Sequence, residues 1–331
     1  MNDCKDVLIL AEVRDQSIAP ITRELLGAGK KLSLELGQGL GALLLGAGVA
    51  SLAGELISLG AAKVYVVDSP ELVTYNSDSY TSAVTEACRQ IGPLVFLAGQ
   101  TSVGRDLLPR AAARLGASLC TDCVDVKIDG ATGRLVQTRP AYGGNAVAEM
   151  VSRSLPQMAT LRSRAMPPAE ADPSSLGEVV NLDVGVLSSR VRITDVVRSD
   201  AEDVKLEDAS VVVAGGAGIT DAASFDLVKG LAAVLKGAVG ATRLPCEDGM
   251  VPWSYQIGQT GKIVAPDLYI AVAISGAPQH MAGCSGSKCV VAVNRDPQAN
   301  IFRVADFGIV ADYKQAVPVL IDKLREIKAS R

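Results

Sequence analysis

The sequence is poor in histidine and in aromatic residues, and these shortages exclude several kinds of site. Its 331 residues include one histidine, His280, and one tryptophan. A metal centre built from several histidines is therefore excluded, and any mechanism that needs an imidazole has to use His280. Aromatic residues make up 4% of the chain, so ring stacking is not expected to supply most of the affinity for a ligand.

An excess of positive charge and a targeting signal are also lacking. The formal net charge is −4 and the pI is about 5.2, so no nucleic-acid partner is expected. The first six residues are polar and run directly into an apolar segment, without the pattern of a secretory signal. Together with seven cysteines, this start predicts free thiols in a reducing, cytoplasmic compartment.

One stretch without charge, residues 36–54, is long enough to raise the question of a membrane span. Glycines interrupt it at positions 37, 39, 41, 46 and 48. A turn, a strand, a second turn and a helix account for this pattern better, so no membrane insertion is expected.

The remaining pattern is an alternation of short apolar runs with amphipathic, helix-like segments. It predicts an α/β protein with two nucleotide-binding-type domains, whose sheets are mostly parallel and covered by helices. In the first half, strands are predicted at 7–10, 42–45, 64–67, 94–97, 124–128 and 134–139. Helices are predicted at 18–36, where Gly27 and Gly29 threaten a break, and at 50–59, 80–91 and 105–115.

The second half of the chain again alternates short apolar runs with helix-like segments, after a linker-like stretch. Residues 163–177 are rich in proline and serine and are linker-like, and a strand is predicted at 189–197. We expect an N-terminal scaffold and subunit-interface domain over 1–200 and a C-terminal domain over 205–331. Strands of that second domain are predicted at 211–214, 237–240, 263–264, 268–274, 290–294 and 308–311, and helices at 221–235 and 317–327.

The first candidate site is a glycine turn in the N-terminal domain. Gly46 and Gly48 follow a predicted strand, and Asp68 lies about 20 residues further on, as in a dinucleotide-binding fingerprint. Ser51 stands where the third glycine of that fingerprint belongs. The turn is therefore either an ordinary tight turn or the cofactor site of an NAD-dependent dehydrogenase.

The second candidate is the pair Cys120 and Cys123, spaced as CxxC. One such pair is half of a zinc or iron–sulfur site, and Cys284 and Cys289 could complete it only if the two domains met there. A redox-active dithiol usually opens a helix, whereas a strand is predicted to follow this pair. Inert buried thiols are the simpler interpretation.

The third candidate is a series of glycine-rich and small polar segments at the predicted strand ends of the C-terminal domain. Such segments present backbone N–H groups to phosphate, and open α/β sheets bind ligands beyond the carboxyl ends of their strands. An extended nucleotide cofactor or a run of ordinary turns would both explain them. The segments are 215–218, 242–243, 258–261, 275–280 and Asn294.

The glycine-rich segments of the C-terminal domain and the residues around them are also similar to those of a known protein family. Residues 258–271 read GQTGKIVAPDLYIA, residues 274–283 read ISGAPQHMAG, 293–297 read VNRDP and 301–312 read IFRVADFGIVAD. These segments closely resemble the alpha subunit of electron-transfer flavoproteins. The resemblance continues more weakly through 107–110 and 144–146, so that it covers nearly the whole chain.

The resemblance implies that the C-terminal domain holds FAD in an extended form and that a beta subunit completes a heterodimer. Arg243 would lie against the isoalloxazine and favour its reduced, anionic form, and the Thr260 hydroxyl would lie near N5. His280 would bond the pyrimidine oxygen O2 and, as an imidazolium, stabilise the one-electron-reduced anion. The expected cofactor-binding residues are Thr242, Arg243, Ile257, Gly258, Gln259, Thr260, Ser275, Gly276, Ala277, Pro278, Gln279, His280, Asn294, Asp312 and Tyr313.

One position departs from the family pattern. Ala217 stands where the family commonly has an arginine that contacts the cofactor, so FAD is either held less tightly or held by another cation. The function implied is an electron carrier between an acyl-CoA dehydrogenase or an NADH-linked donor and a downstream reductase. No catalytic residue and no metal is expected. The remaining alternatives are the NAD-dependent dehydrogenase at Gly46 and Gly48 and a binding module without a cofactor.

Overall fold

The computed structural model describes residues 4–142, 146–185, 187, 189–196 and 206–329. Contacts divide the chain into two compact units, the first built mainly from residues up to 196 and the second from residues 206–329.

The first unit is built on a parallel sheet that helices cover on both faces. Its strands are β1 (Lys5–Ala11), β2 (Val13–Arg14), β3 (Ser17–Ile18), β4 (Leu40–Gly46), β5 (Lys63–Asp68), β6 (Pro93–Gly99), β7 (Leu119–Cys123), β8 (Asp125–Asp129), β9 (Arg134–Ala141), β10 (Ala146–Val151), β11 (Gln157–Leu161) and β12 (Glu178–Asn181). Its helices are α1 (Pro20–Leu36), α2 (Ala53–Ser58), α3 (Ser77–Ile91) and α4 (Ser102–Leu115). The large sheet has the order β12-β5-β4-β1-β6-β11-β7 with parallel pairing, and β8–β10 form a small antiparallel sheet.

Two hydrophobic layers explain why helices lie on both faces. Leu25 and Leu32 of α1 pack with alternate residues of β1 and β4 on one face. Val84 of α3 and Leu107 of α4 pack with the intervening residues on the other. Strands that are buried on both sides are apolar at consecutive positions, which is the pattern that the sequence displays.

Helix α1 continues through its two glycines. A Cβ on Gly27 would lie 2.2 Å from the carbonyl oxygen of Pro167, and one on Gly29 would lie 2.6 Å from the side chain of Leu40. Both glycines therefore permit close packing of the helix against its neighbours. The loss of helix propensity is offset by that packing.

The second unit contains a parallel sheet of order β14-β13-β15-β16-β17. Its strands are β13 (Val211–Gly215), β14 (Ala238–Ala241), β15 (Leu268–Val272), β16 (Val290–Asn294) and β17 (Phe307–Val310). Its helices are α5 (Ala222–Leu235), α6 (Arg243–Glu247), α7 (Pro278–Met281) and α8 (Tyr313–Ala329). The chain leaves β13 to one side for β14 and returns to the other for β15, so the sheet's topological switch point lies between β13 and β15.

The predicted α/β class with mostly parallel sheets is confirmed, and two of the predicted strands are wrong. Described residues 189–196 form no strand, because they lie outside both sheets and are held instead by side chains such as Asn76, whose amide donates to the Val191 carbonyl at 3.0 Å. Ile263 and Val264 form no strand either. Residues 163–177 connect β11 to β12 and so lie within the first unit.

The uncharged stretch 36–54 contains β4 and the start of α2, as its glycines predicted. Among the helices of the described residues, none combines the length and the apolar character that crossing a bilayer requires.

Candidate functional site

Two neighbouring cavities open at the carboxyl ends of the second unit's strands. The first, of about 450 Å³, lies between α6, the loop 256–260 and the segment 274–280. The second, of about 380 Å³, lies beyond β16 and beside the start of α8. Ala217 and Ser275, which follow β13 and β15, line both cavities. The two therefore form one groove that crosses the switch point of the sheet.

The middle of this groove offers backbone hydrogen-bond donors. Among the described residues, no acceptor receives the N–H groups of Ser275, Gly276 or Ala277. Ser275 and Ala277 are exposed and Gly276 is buried, so a ligand can reach this segment. Consecutive N–H groups at a strand end are typical of a site for an anion.

Gly276 is required by this segment for two reasons. Its φ is +84°, and a Cβ there would lie 2.4 Å from the backbone nitrogen of Ile301. That nitrogen in turn donates to the carbonyl of Ser275 at 3.0 Å. The close approach of the two chain segments fixes the direction of the N–H groups.

The loop 256–260 forms one wall of the first cavity. Ile257 N–H donates to the carbonyl of Ala241 at 2.9 Å, and Gln259 N–H donates to the carbonyl of Gln279 at 2.7 Å. The Gln256 amide donates to the hydroxyl oxygen of Thr260 at 2.9 Å. The Thr260 hydroxyl proton is thereby left to donate to a group in the cavity.

Arg243 provides the positive charge at this cavity, and an acidic residue shares it. The guanidinium contacts Glu247 one helical turn further along α6, at 2.8 Å from Nε and 2.7 Å from Nη2. The Arg243 side chain is 65% exposed, so the ion pair is weak and can rearrange around a ligand.

His280 is buried in the floor of the cavity with both ring nitrogens engaged. Nδ1 lies 3.0 Å from the carbonyl oxygen of Ile257, which can only accept, so Nδ1 carries the proton. Nε2 lies 2.8 Å from the Tyr269 hydroxyl and accepts from it. Burial lowers the pKa of His280 to about 4, against a smaller opposing effect of the Ile257 carbonyl.

This environment contradicts the expected imidazolium. The ring is enclosed, and its two hydrogen-bond partners are a tyrosine hydroxyl and a backbone carbonyl rather than a carboxylate. Burial therefore keeps the ring neutral at physiological pH. His280 lines the cavity as predicted from the sequence, but its charge cannot stabilise an anion there.

The second cavity contains the remaining predicted residues and one unpaired cation. The Asn294 amide donates to the Ile274 carbonyl at 2.9 Å, and its oxygen accepts from Asp296 N–H at 3.0 Å, so this side chain shapes the loop. Asp312 caps α8 through Lys314 N–H at 2.8 Å. Arg295 lines the cavity and forms no ion pair with the described residues.

The structure brings most of the sequence-predicted residues to this groove. Two of them, Gly276 and Pro278, line neither cavity. Gly276 lies within the loop after β15, and Pro278 begins α7. Ten line the first cavity, namely Thr242, Arg243, Ile257, Gly258, Gln259, Thr260, Ser275, Ala277, Gln279 and His280. Ser275, Asn294, Asp312 and Tyr313 line the second.

Sequence reasoning missed the residues that act on these side chains. Gln256 orients Thr260, Glu247 pairs with Arg243, and Tyr269 bonds His280. The spacing of Arg243 and Glu247 on a helix was a usable signal. The partners of His280 lie 11 and 23 residues away along the chain, and only the fold brings them together.

The glycine turn of the first unit is already occupied by the chain itself. The Asp68 carboxylate accepts from Gly48 N–H at 2.7 Å and from Ala50 N–H at 3.3 Å. A dinucleotide's pyrophosphate would need these donors and would meet the negative charge of Asp68. The geometry therefore gives no support to the NAD-dependent alternative.

The described residues do not complete a metal site around the cysteine pair. All seven cysteines are free thiols, and the described residues contain no cluster of three or more His, Cys, Asp or Glu side chains suited to a metal ion.

Comparison with known proteins identifies the family of this chain. Residues 7–187 match the family model described as the electron transfer flavoprotein domain, and residues 205–285 match the electron transfer flavoprotein FAD-binding domain. The chain belongs to the electron transfer flavoprotein alpha-subunit family. Its cofactor is FAD.

Three relatives illustrate how far the similarity extends. The electron transfer flavoprotein alpha subunit of Thermoanaerobacterium thermosaccharolyticum is 43% identical over 99% of this chain and 100% of its own length. The alpha subunit of Bacillus subtilis is 41% identical over 98% of both chains. The acryloyl-CoA reductase electron transfer subunit beta of Anaerotignum propionicum is 35% identical over 99% of this chain and 98% of its own.

The donor set of the groove fits FAD. The three unpaired N–H groups at 275–277 suit a pyrophosphate, and the Thr242 and Thr260 hydroxyls beside Arg243 suit the polar edge of a flavin ring. The groove runs from the first cavity to the second, as a long dinucleotide requires.

Proposed function

We propose that this electron transfer flavoprotein subunit pairs with a beta subunit and carries electrons between an acyl-CoA dehydrogenase or NADH-linked donor and a downstream reductase. The printed name of the Anaerotignum propionicum relative, an electron transfer subunit of an acryloyl-CoA reductase, supports acyl-CoA chemistry on one side. The observation that carries the proposal is the groove at the β13/β15 switch point with its unpaired N–H groups. The reducing environment implied by seven free thiols supports a cytoplasmic location.

FAD, when bound, supplies the redox chemistry, and the chain's residues bind it and adjust its charge. Ser275, Gly276 and Ala277 would hold the pyrophosphate by their N–H groups. Thr260, oriented by Gln256, would donate its hydroxyl proton to the flavin edge. The first unit would serve as scaffold and subunit interface.

Arg243 is the charged group that would favour the reduced, anionic ring, because His280 is neutral. Neutral His280 keeps the floor of the cavity rigid, since Tyr269 and Ile257 hold its ring at both nitrogens. Glu247 would moderate the charge of Arg243 through the ion pair within α6.

Arg295 is the cation that would replace the family arginine absent at Ala217. It lines the second cavity and has no ion-pair partner among the described residues. Since Ala217 lines both cavities, a guanidinium approaching from Arg295 would reach the same middle region of the groove.

The test is to purify the chain together with its beta subunit and to measure flavin content and reduction potential. The complex should be yellow, and Arg243→Ala should lower the potential while Arg243→Lys largely preserves it. Lys323→Ala, which removes a charge from the exposed face of α8, should leave both quantities unchanged. A folded complex that stays colourless with added FAD would overturn the proposal.

A further inference from the structure

Cys120 and Cys123 lie on β7, the edge strand of the first unit's large sheet. Residues three apart on a regular strand point to opposite faces. Here both cysteines are buried in the same hydrophobic layer. The reason is an irregularity in β7, where Cys120 pairs with Ala159 and Cys123 pairs with Leu161.

This irregularity shortens the distance between the two cysteines. The three residues from Cys120 to Cys123 on β7 span the same length as the two residues from Ala159 to Leu161 on β11. The Cα atoms of the two cysteines are therefore separated by about 6.6 Å along the strand direction. Disulfide-bonded cysteines have Cα atoms about 4.4–6.8 Å apart. The component of their separation along the strand therefore falls within the range that a disulfide spans.

An ion pair holds the irregular segment in place. Asp122 lies between the cysteines with φ +62°, a conformation that few residues other than glycine adopt. Its carboxylate accepts from Arg162 Nε at 2.9 Å and from Arg162 Nη2 at 2.7 Å. The Arg162 side chain is 7% exposed, so this bidentate contact is well shielded and fixes the turn.

The two cysteines are joined by a thiol–backbone contact, and their thiols differ in acidity. Cys123 Sγ donates toward the Cys120 carbonyl at 3.6 Å. A hydrogen bond from the Cys123 thiol, aided by Arg139 and opposed by burial and by Asp122, lowers the pKa of Cys120 to about 7. The same contact and burial raise the pKa of Cys123. Cys120 is thus the more acidic thiol of the two, which is the order expected of an attacking and a resolving cysteine.

Cys120 is 4% exposed and lies beside a flexible, partly exposed side chain. The Met150 sulfur lies 3.7 Å from Cys120 Sγ, and Met150 is 46% exposed. Because methionine has three rotatable bonds and β7 is an edge strand, a change of the Met150 rotamer would uncover this side of Cys120.

We propose that Cys120 and Cys123 are a thiol modification site that closes to a reversible disulfide by exchange with a small-molecule disulfide of the glutathione type. The Cys120 thiolate attacks one sulfur of glutathione disulfide, forming a mixed disulfide and releasing one glutathione thiolate. Cys123 then loses its proton and attacks the Cys120 sulfur, releasing the second glutathione. Two electrons and two protons pass from the cysteine pair to the small disulfide, which is reduced. This inference is independent of the flavin groove.

The experiment uses the full chain in complex with its beta subunit, equilibrated over a series of glutathione and glutathione disulfide ratios. After quenching with acid and alkylation, trypsin releases residues 115–127, which contain Cys120 and Cys123 and no other cysteine. We expect this peptide to lose two hydrogen atoms and to resist alkylation as the ratio becomes oxidising. Cys88, whose pKa burial raises to about 12, should remain a free thiol and serves as the internal control.

Three variants separate the chemistry from a structural role. Cys123→Ser should accumulate the mixed disulfide on Cys120, and Cys120→Ser should leave residue 123 unmodified. Arg139→Gln should move the pH midpoint of Cys120 alkylation upward from about 7, with the fold checked by circular dichroism. Full alkylation of the 115–127 peptide at every ratio, or a disulfide that forms only after denaturation, would overturn the proposal.

Discussion

The two units differ in whether the backbone donors at the carboxyl ends of their parallel strands are already paired. In the first unit, the donors of the turn after β4 are occupied by the carboxylate of Asp68. In the second unit, the N–H groups of residues 275–277 after β15 have no acceptor among the described residues. Parallel sheets offer a ligand site at their carboxyl edge by construction, and the chain's own side chains decide whether that site is used.

The switch points of the two sheets differ in the same way. In the first unit the switch point lies between β1 and β6, where the buried Glu12 carboxylate accepts from the Thr101 hydroxyl at 2.7 Å. In the second unit the equivalent position, between β13 and β15, is the open groove past Ala217 and Ser275. In the first unit, Glu12 and Thr101 at the switch point hydrogen-bond to each other. In the second unit, the N–H groups of residues 275–277 remain available to a cofactor.

The largest expected effect comes from closing the open strand end. Gly276→Ala adds a Cβ 2.4 Å from the Ile301 nitrogen at φ +84°, so the loop must move. We expect the FAD dissociation constant to rise at least about 100-fold, equivalent to about 2.7 kcal/mol, as measured by flavin titration of the heterodimer. Gly116→Ala in the first unit, with φ +65° and no atom within 4 Å, tests positive φ alone and should leave FAD binding unchanged. Equal effects of the two variants would contradict this account.

The next effect concerns the buried imidazole of the second unit. With its pKa at about 4 in the fold and about 6.5 in the unfolded chain, His280 takes up a proton on unfolding between these values. The contribution of His280 to stability is therefore greatest above pH 6.5 and decreases as the pH falls toward 4, by about 2 kcal/mol at pH 5.

His280 is the chain's one histidine, so NMR of a histidine-labelled alpha subunit reports this titration as a single signal. The ring should remain neutral at pH 6, and His280→Gln should remove its share of the pH dependence of urea unfolding. A midpoint near 6.5 in the folded complex would show that the ring is not enclosed as described.

A smaller gain is expected from restoring a cation at the middle of the groove. Ala217→Arg should tighten FAD binding by about 10-fold, or about 1.4 kcal/mol, because it adds a charge-assisted contact to the anionic cofactor. Ala217→Gln supplies similar length without charge and should change affinity little. If both variants bind FAD equally well, Arg295 already supplies all the charge that the site uses.

The smallest effect is expected at the turn after β4, whose backbone donors are paired with Asp68. Asp68→Ala removes the acceptor for two backbone donors and should reduce the free energy of unfolding by about 1 kcal/mol, whereas Asp68→Asn keeps an acceptor oxygen and should lose less. FAD content should not change, and no NAD binding should appear by calorimetry. NAD binding by Asp68→Ala would mean that the carboxylate alone prevents a dinucleotide site there.

Local signals in the sequence predicted most of the fold. Gly92 and Gly116 end α3 and α4 in the left-handed conformation, and the helices predicted at 80–91 and 105–115 end directly before them. The strand predicted at 189–197 was wrong because alternation of apolar and polar residues does not show whether a neighbouring strand is available to pair. Val191, 63% exposed, has the pattern of a half-buried strand without the partner.

The candidate site also contains features that the sequence predicts and features that only the fold reveals. The backbone donors of residues such as Gly276 and Ala277 could be predicted, because a glycine-rich motif follows a predicted strand there. The charge state of His280 does not, because it depends on Tyr269 of β15 and the carbonyl of Ile257, which the fold brings to the ring. The occupation of the Gly48 turn by Asp68 could not be distinguished from a ribose-binding role by spacing alone.

The most direct test of the central claim is amide hydrogen exchange of the heterodimer with FAD and after FAD removal. The account predicts that FAD slows exchange at residues 275–277 and leaves residues 48–50 of the first unit unchanged. Protection that appears at 48–50, or exchange at 275–277 that is equally slow without FAD, would contradict it.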